Sequence, residues 1–269
     1  MDASINFIGG MVRTWREARR LSQLDLALEA EISQRHLSFI ESGRSAPSRD
    51  MLLHIAEHLD VPLRERNAML LAAGFAPAYP IRSLDDPSLV LAKASVERVL
   101  KAHEPFPALA FDRHWNIVSA NRAVWSLLEM VSKDLLAPPI NILRISLHPE
   151  GLAPHIANLA GWRHHLLGQL RRQLRITRDA ALEALLKELN TYPVPASAEA
   201  GVQDGIPADG IAIPLRLTTP NGILSFISTV TVFGTPLEIT LSELTMEAFY
   251  PADEFTKAAV SGETSTDRR

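Results

Sequence analysis

The sequence predicts an α+β chain of two domains, an all-α N-terminal domain followed by a C-terminal α/β domain with an antiparallel sheet. Three observations predict it. Residues 21–43, LSQLDLALEAEISQRHLSFIESG, read as two short helices joined by a tight turn. The runs GIAIPLRLTT and ILSFISTVTVF alternate roughly by two and are rich in β-branched residues, with Asn221-Gly222 between them as a hairpin turn. Between these halves FAPAYPIRSLDDPS, with its prolines and little periodicity, has the composition of a connector.

The chain has 269 residues, enough for two domains, and a hydrophobic fraction of 46%, ample for packed cores. It has no cysteine, so disulfides, thiolate–metal sites and cysteine nucleophiles are excluded. No apolar run approaches the roughly 20 residues of a membrane span, and MDASINFIGG lacks the basic start and cleavage site of a signal peptide. These features lead us to expect a cytoplasmic protein without membrane contact. Net charge is −4, and the first 80 residues carry nine Arg against ten Asp or Glu. An anionic partner must therefore be held by local placement of charge, which Arg13, Arg16, Arg19, Arg20, Arg35, Arg44 and Arg49 can supply.

In the helical pair, Ser22 is a natural N-cap, with Asp25 three residues on as an imperfect capping box. Leu24, Leu26, Ala27 and Ala30 are the apolar positions of the first helix, and Ile32 closes the turn. Ala27 is the small side chain that two steeply crossing helices need. Ser33 is a second N-cap, followed by Gln34, Arg35 and His36 in the first turn of the next helix. Leu37 and Ile40 face inward, and Gly43 suits the left-handed position past the helix end. A recognition helix contacts base edges with its N-terminal residues. There Gln34 can bond adenine bidentately and Arg35 guanine, while Gln23 opens the preceding helix, where side chain and backbone N–H meet a phosphate. Double-stranded DNA is the expected partner.

These residues resemble the Cro/repressor-type helix-turn-helix of the XRE family, over roughly residues 8–74. The resemblance implies a lambda-repressor-like domain of five helices, here at about 5–19, 23–30, 34–41, 48–58 and 63–73. Its core would hold Val12, Trp15, Leu26, Leu37, Ile40, Leu52, Ile55, Ala56, Leu59, Leu70 and Leu71. It also implies an internal Arg16–Glu41 ion pair and phosphate contacts from Arg44, Ser45 and Arg49. The chain departs from that pattern twice. Arg20 and Glu31 stand where glycine often ends the first helix and makes the turn, at about 1–2 kcal/mol for a non-glycine residue in a left-handed conformation.

Beyond the connector, Asp86-Pro87 starts a helix at about 88–102, which Pro105 and Pro107 end. Strands follow at Ala108 to Asp112 and Ile117 to Ala120, with Asn121 opening a helix. This strand–hairpin–helix opening is similar to a PAS sensor domain. A long helix is expected over about 154–175 and another over 179–189. The remaining strands are expected at Ile211–Thr218, Ile223–Val232 and Pro236–Ser242. The domains are read as 1–75, a linker 76–87, a sensor 88–252 and a polar tail 253–269 that frays.

The order Asn141, Leu143, Arg144, Leu147, His148, Pro149, Gly151, then Pro154, Ile156, Asn158, Trp162, then His165, Leu166, Leu167, and finally Glu188, Leu189, Tyr192, Pro193 resembles the ligand-binding domain of the MmyB-like regulators, from about 85 to 252. The resemblance implies a transcription factor with a PAS-like sensor and a fatty-acid-like molecule as the type of effector. The residues are compatible with this. A cavity walled by Phe111, Trp115, Trp125, Leu128, Leu143, Leu147, Phe226, Val230 and Phe233 would favour an aliphatic chain, at roughly 25 cal/mol per Å² of apolar surface buried. Arg144 or His148 at its mouth could hold a carboxylate. His148 and His155 lack a third ligand at metal-binding spacing, so no metal is expected, and no cofactor is assigned, with haem or flavin in the PAS-like cavity as the remote alternative.

A ligand-responsive regulator working as a homodimer on paired DNA half-sites follows, acting at the nucleoid. Two alternatives stand beside it. The second domain could dock a protein partner, or it could be an enzyme acting on acyl compounds. The chain carries no G-x-S-x-G elbow, phosphate loop, dinucleotide fingerprint or zinc-protease helix, so no catalytic residue is assigned.

Overall fold

A computed structural model describes residues 3–193, 213–234 and 236–262. The chain divides into two compact units. The first runs to Arg82 and includes a short later stretch ending at Ser242; the second holds the rest.

Helices α1 (Ala3–Ala18), α2 (Gln23–Glu29), α3 (Gln34–Glu41), α4 (Arg49–His58) and α5 (Leu63–Ala72) build the first unit. The starts of α2, α3 and α4 follow from side-chain caps. Ser22 Oγ accepts from Asp25 N while Asp25 accepts from Ser22 N, a complete capping box. Ser33 and Ser48 cap α3 and α4 in the same way, accepting from His36 N and Met51 N. Arg20 and Glu31 adopt φ of 59° and 52°, so the departures from glycine change the residue and keep the left-handed turn. The core takes Val12, Trp15, Leu26, Ala27, Leu37, Ile40, Leu52, Ile55 and Leu59. Leu71 leaves the expected core, because α5 turns Met69 and Leu70 inward, and Leu24 of α2 is exposed, since Leu26 and Ala27 take the inward side. Where α1 meets α3, a Cβ on Gly9 would lie 2.4 Å from Ile40 O.

The connector is part of this unit as far as Arg82. The buried Asn67 side chain accepts from Ala78 N and Tyr79 N and donates to Tyr79 O. The strand expected at 236–242 is instead a short helix, Ile239–Ser242. Glu238 accounts for this: its buried carboxylate accepts from Leu241 N and from Arg82 N, which coils the segment against the connector. Ile239 N completes the contact by donating to Pro80 O.

In the second unit a 3-10 turn at Pro87–Leu89 leads into α6 (Val90–Ala102). The sheet comprises β1 (Ala108–Phe111), β2 (Ile117–Ala120), β3 (Leu215–Thr219), β4 (Gly222–Val232) and β5 (Thr245–Pro251), in the order β2-β1-β5-β4-β3. All pairs are antiparallel. The β3–β4 turn is Pro220-Asn221, since Thr219 pairs with Gly222; the hairpin is one residue out from the expected Asn-Gly turn. Of the expected third strand, Ile211 and Ala212 lie outside the described residues.

Strand alternation separates two faces. Ala108, Ala110 and Met246 pack with Val96 and Leu100 of α6. Leu109, Phe111, Phe226 and Phe249 meet the larger cluster contributed by α7 (Arg122–Leu128), α8 (Ile142–Leu147), α9 (Leu159–Thr177) and α10 (Ala180–Thr191). Asn121 anchors the entry to α7, accepting from Ala108 N and Val124 N and donating to Leu100 O and Phe106 O. Helix α9 starts at Leu159, later than expected, because Ile156 bridges to Leu217 and Ala157 N donates to Arg216 O at the sheet edge. The tail is also corrected. Glu254–Ser261 is a helix capped by Asp253, and its fully buried Thr256 accepts from Ser225 N of β4. Residues 263–269 of the expected tail lie outside the described residues. Among the described residues no helix is long and apolar enough to cross a membrane.

Candidate functional site

The first unit presents α3. Its inward side is fastened by Arg16, whose Nε and Nη2 donate to Glu41 Oε1 and Oε2 at 2.6 and 2.9 Å. Burial pushes the Glu41 carboxyl up, but the bonds from Arg16 and Gln23 outweigh it and hold the group below the ordinary carboxylate range. This lock orients the outer side, where Ser33, Gln34 and Arg35 are exposed and His36 is half-buried.

The structure distributes roles among the expected contact residues. Gln34 and Arg35 stand in the first turn of α3, the position from which side chains reach base edges. Ser33 Oγ is engaged as the cap. Gln23 Nε2 donates to Glu41 Oε2 at 2.8 Å, so its amide serves the internal lock. The backbone N–H groups of Arg44 and Ser45 both donate to Phe39 O. Arg49 opens α4 beside Asp50, at 3.7 Å. Phe39 went unnoticed in the sequence. The guanidinium groups of Arg35 and Arg44 lie 5.3 and 5.9 Å from its ring centroid, within cation–π range. Its spacing four residues after Arg35, one helical turn, was the available signal.

The second unit encloses an apolar cavity between the sheet and helices α7–α9. Of the residues expected to wall it, Trp115, Leu128, Leu143 and Phe226 do so. Phe111 lies behind, its ring stacked on Trp115 at 5.0 Å. Leu147 is buried in the core without lining the cavity, and Phe233 packs on the α6 face. Trp125 is 43% exposed and Val230 57% exposed, both away from the lining.

Arg144 and His148 are corrected as well: neither lines the cavity. Helix α8 turns Leu143, Ile145 and Ser146 toward the cavity, which sends Arg144 to α10. There its Nε and Nη2 donate to the two carboxylate oxygens of Glu188, each at 2.7 Å. Tyr192 Oη donates to the same carboxylate at 2.6 Å, and the His148 ring stands edge-on to Tyr192. Hydrogen bonding to Arg144 chiefly holds Glu188 below the carboxylate range, whereas burial and then Glu188 push the Tyr192 phenol up to about 12. Asn141 caps α8, accepting from Leu143 N and Arg144 N, and steadies the β1–β2 hairpin by donating to His114 O. Gly151 is fixed by contact, since a Cβ there would lie 2.2 Å from Ile145 O. Much of the 141–192 motif is thus a brace joining α8 to α10 and the hairpin.

The polar lining is small. Trp162 of α9, Ser146 of α8 and Glu247 of β5 line an otherwise hydrocarbon wall, and no Lys, Arg or His is among the described lining residues. Sequence reasoning missed Glu247 because β5 was placed too early; the alternation of Glu247 and Phe249 carries the signal once the strand is located. Burial raises the Glu247 carboxyl, against a hydrogen bond with Ser228.

A family model described as the MmyB-like transcription regulator ligand binding domain matches residues 92–261, more than half of the chain. A helix-turn-helix model matches residues 12–66. No curated protein matches the chain.

Proposed function

From its membership of the MmyB-like transcription regulators, we propose that this chain is a sequence-specific DNA-binding regulator whose affinity for its operator is set by an apolar, fatty-acid-like molecule in the second unit. One observation carries the reading. A rigidly fastened helix offers Gln34 and Arg35 outward, and the same chain builds a cavity whose wall is almost wholly hydrocarbon. Such a wall favours an aliphatic chain by burial of its surface. The effector must bind one arrangement of the protein better than another, because equal affinity for both would switch nothing.

The regulator acts by binding and not by turnover, and works in the cytoplasm on the nucleoid. It engages DNA as a homodimer, two recognition helices meeting half-sites about 34–36 Å apart. The test starts with selection of a preferred site from random duplexes, followed by anisotropy titrations at fixed salt. Arg35→Ala is expected to weaken the preferred site by about 1–3 kcal/mol and leave non-specific binding nearly unchanged. Equal binding of all sequences by the unaltered protein, with and without aliphatic effectors, would refute the proposal.

A further inference from the structure

Glu247 is the one ionisable side chain among the described residues that line the cavity. It stands on the central strand β5 and is 9% exposed. Its side of the sheet is the cavity side: it pairs with Leu109 of β1, and Leu109 and Phe249, two residues along, line the same space. Ser228 of β4, which pairs with Phe249, hydrogen-bonds the carboxyl and draws it toward that ring. A serine has a single hydroxyl hydrogen to give. Neither Glu247 oxygen is sealed without a partner, a state found among the described residues at Trp162 Nε1, so the second oxygen stays reachable from the cavity.

No cation faces this carboxyl. Its cross-strand neighbours are Leu109 and Val230, and the described lining residues of α7, α8 and α9 add no ionisable group. Arg144 is engaged by Glu188 outside the lining. Burial therefore raises the Glu247 carboxyl and favours its neutral form, which carries an O–H donor. A ligand carboxylate can accept from that O–H in a charge-assisted bond, roughly twice as strong as a neutral one. Two carboxyl groups in one apolar space cannot both ionise, and hold one proton between them. An amine cation would instead need Glu247 ionised, the form that burial opposes.

We propose that Glu247 is the head-group residue of the sensor: its carboxyl meets the carboxyl end of a fatty-acid-like effector, and the pair shares one proton. The inference rests on the reading of the second unit as a sensor of such a molecule and specifies how an apolar wall without a cation holds an acid.

The experiment titrates the full-length protein and its Glu247→Gln and Glu247→Leu variants with decanoate, methyl decanoate and decylamine in a calorimeter. At pH 7 the unaltered protein is expected to bind decanoate tighter than decylamine. Glu247→Leu deletes the shared proton and should weaken decanoate at least about tenfold relative to methyl decanoate. Glu247→Gln keeps an N–H donor and should hold decanoate within about threefold of the unaltered protein. Buried glutamates reach pKa values of about 8–9. Once both free carboxyls are ionised, binding must take up a proton, so decanoate affinity should fall between about pH 7 and 10, approaching about tenfold per unit. Glu247→Gln should remove that slope. Equal losses of decanoate and methyl decanoate in Glu247→Leu, a flat pH profile in the unaltered protein, or tighter binding of decylamine would overturn the shared-proton pair while leaving an apolar-ligand sensor in place. Failure of all three decyl compounds to bind would overturn both.

Discussion

Glu41→Ala should strike the DNA-reading unit at its lock. Removing the carboxylate takes from Arg16 its bonds at 2.6 and 2.9 Å and leaves Nη1 on Leu21 O at 2.8 Å. The side chains of Glu41 and Arg16 are 0% and 10% exposed, so water does not replace what is lost. Stripping a partner from a buried ion costs about 3–5 kcal/mol. At roughly 0.05–0.15 kcal/mol per residue, a unit of this size holds about 4–12 kcal/mol in all. Urea unfolding followed by circular dichroism should therefore show the unit at pH 7 with most of its stability gone. Arg16→Met combined with Glu41→Leu should recover much of it, because apolar groups of similar volume replace the pair. The depressed Glu41 carboxyl sets the pH dependence. Its contribution is fully present above the unfolded-state value and is lost as pH falls through the folded value, so the gap between wild type and Glu41→Ala should begin to narrow below about pH 4. A loss of less than about 1 kcal/mol at pH 7, the worth of an exposed pair, would refute the argument.

Gly9 and Gly10 provide a paired test by thermal melts. Gly9→Ala drives a Cβ to 2.4 Å from Ile40 O and should destabilise by about 1–3 kcal/mol, whereas Gly10→Ala meets nothing within 4 Å and should stabilise by about 0.5–1 kcal/mol through helix propensity. Arg144→Ala cuts the α8–α10 brace at a side chain that is 39% exposed, so a loss of about 1 kcal/mol in urea melts is expected. Decanoate affinity should not change in that variant; a tenfold drop in calorimetry would place Arg144 at the ligand after all.

Local chemistry made the first unit legible. Ser22, Ser33 and Ser48 act on N–H groups three residues away, and Gly43 takes φ of 69°, so these helix boundaries could be read from neighbours in the chain. The β1–β2 hairpin and the cap at Asn121 were legible for the same reason. Leu71 misled because α5 has no clear apolar stripe by itself; only the fold decides that Met69 and Leu70 turn inward.

The sequence by itself determined the two-part plan, the helix-turn-helix with its outward Gln34 and Arg35, and the antiparallel strands, since each depends on caps, turns and periodicity within a few residues. Tertiary structure alone decided that Arg144 braces Glu188, that Glu238 coils an apparent strand against the connector, and that Glu247 and Trp162 share a cavity wall. Those outcomes pair groups 44 and 156 residues apart, or bring strand and helix from distant parts of the chain. Which face of a helix or strand meets which neighbour is settled by competition for burial and hydrogen bonds across the whole fold, and local sequence does not encode it.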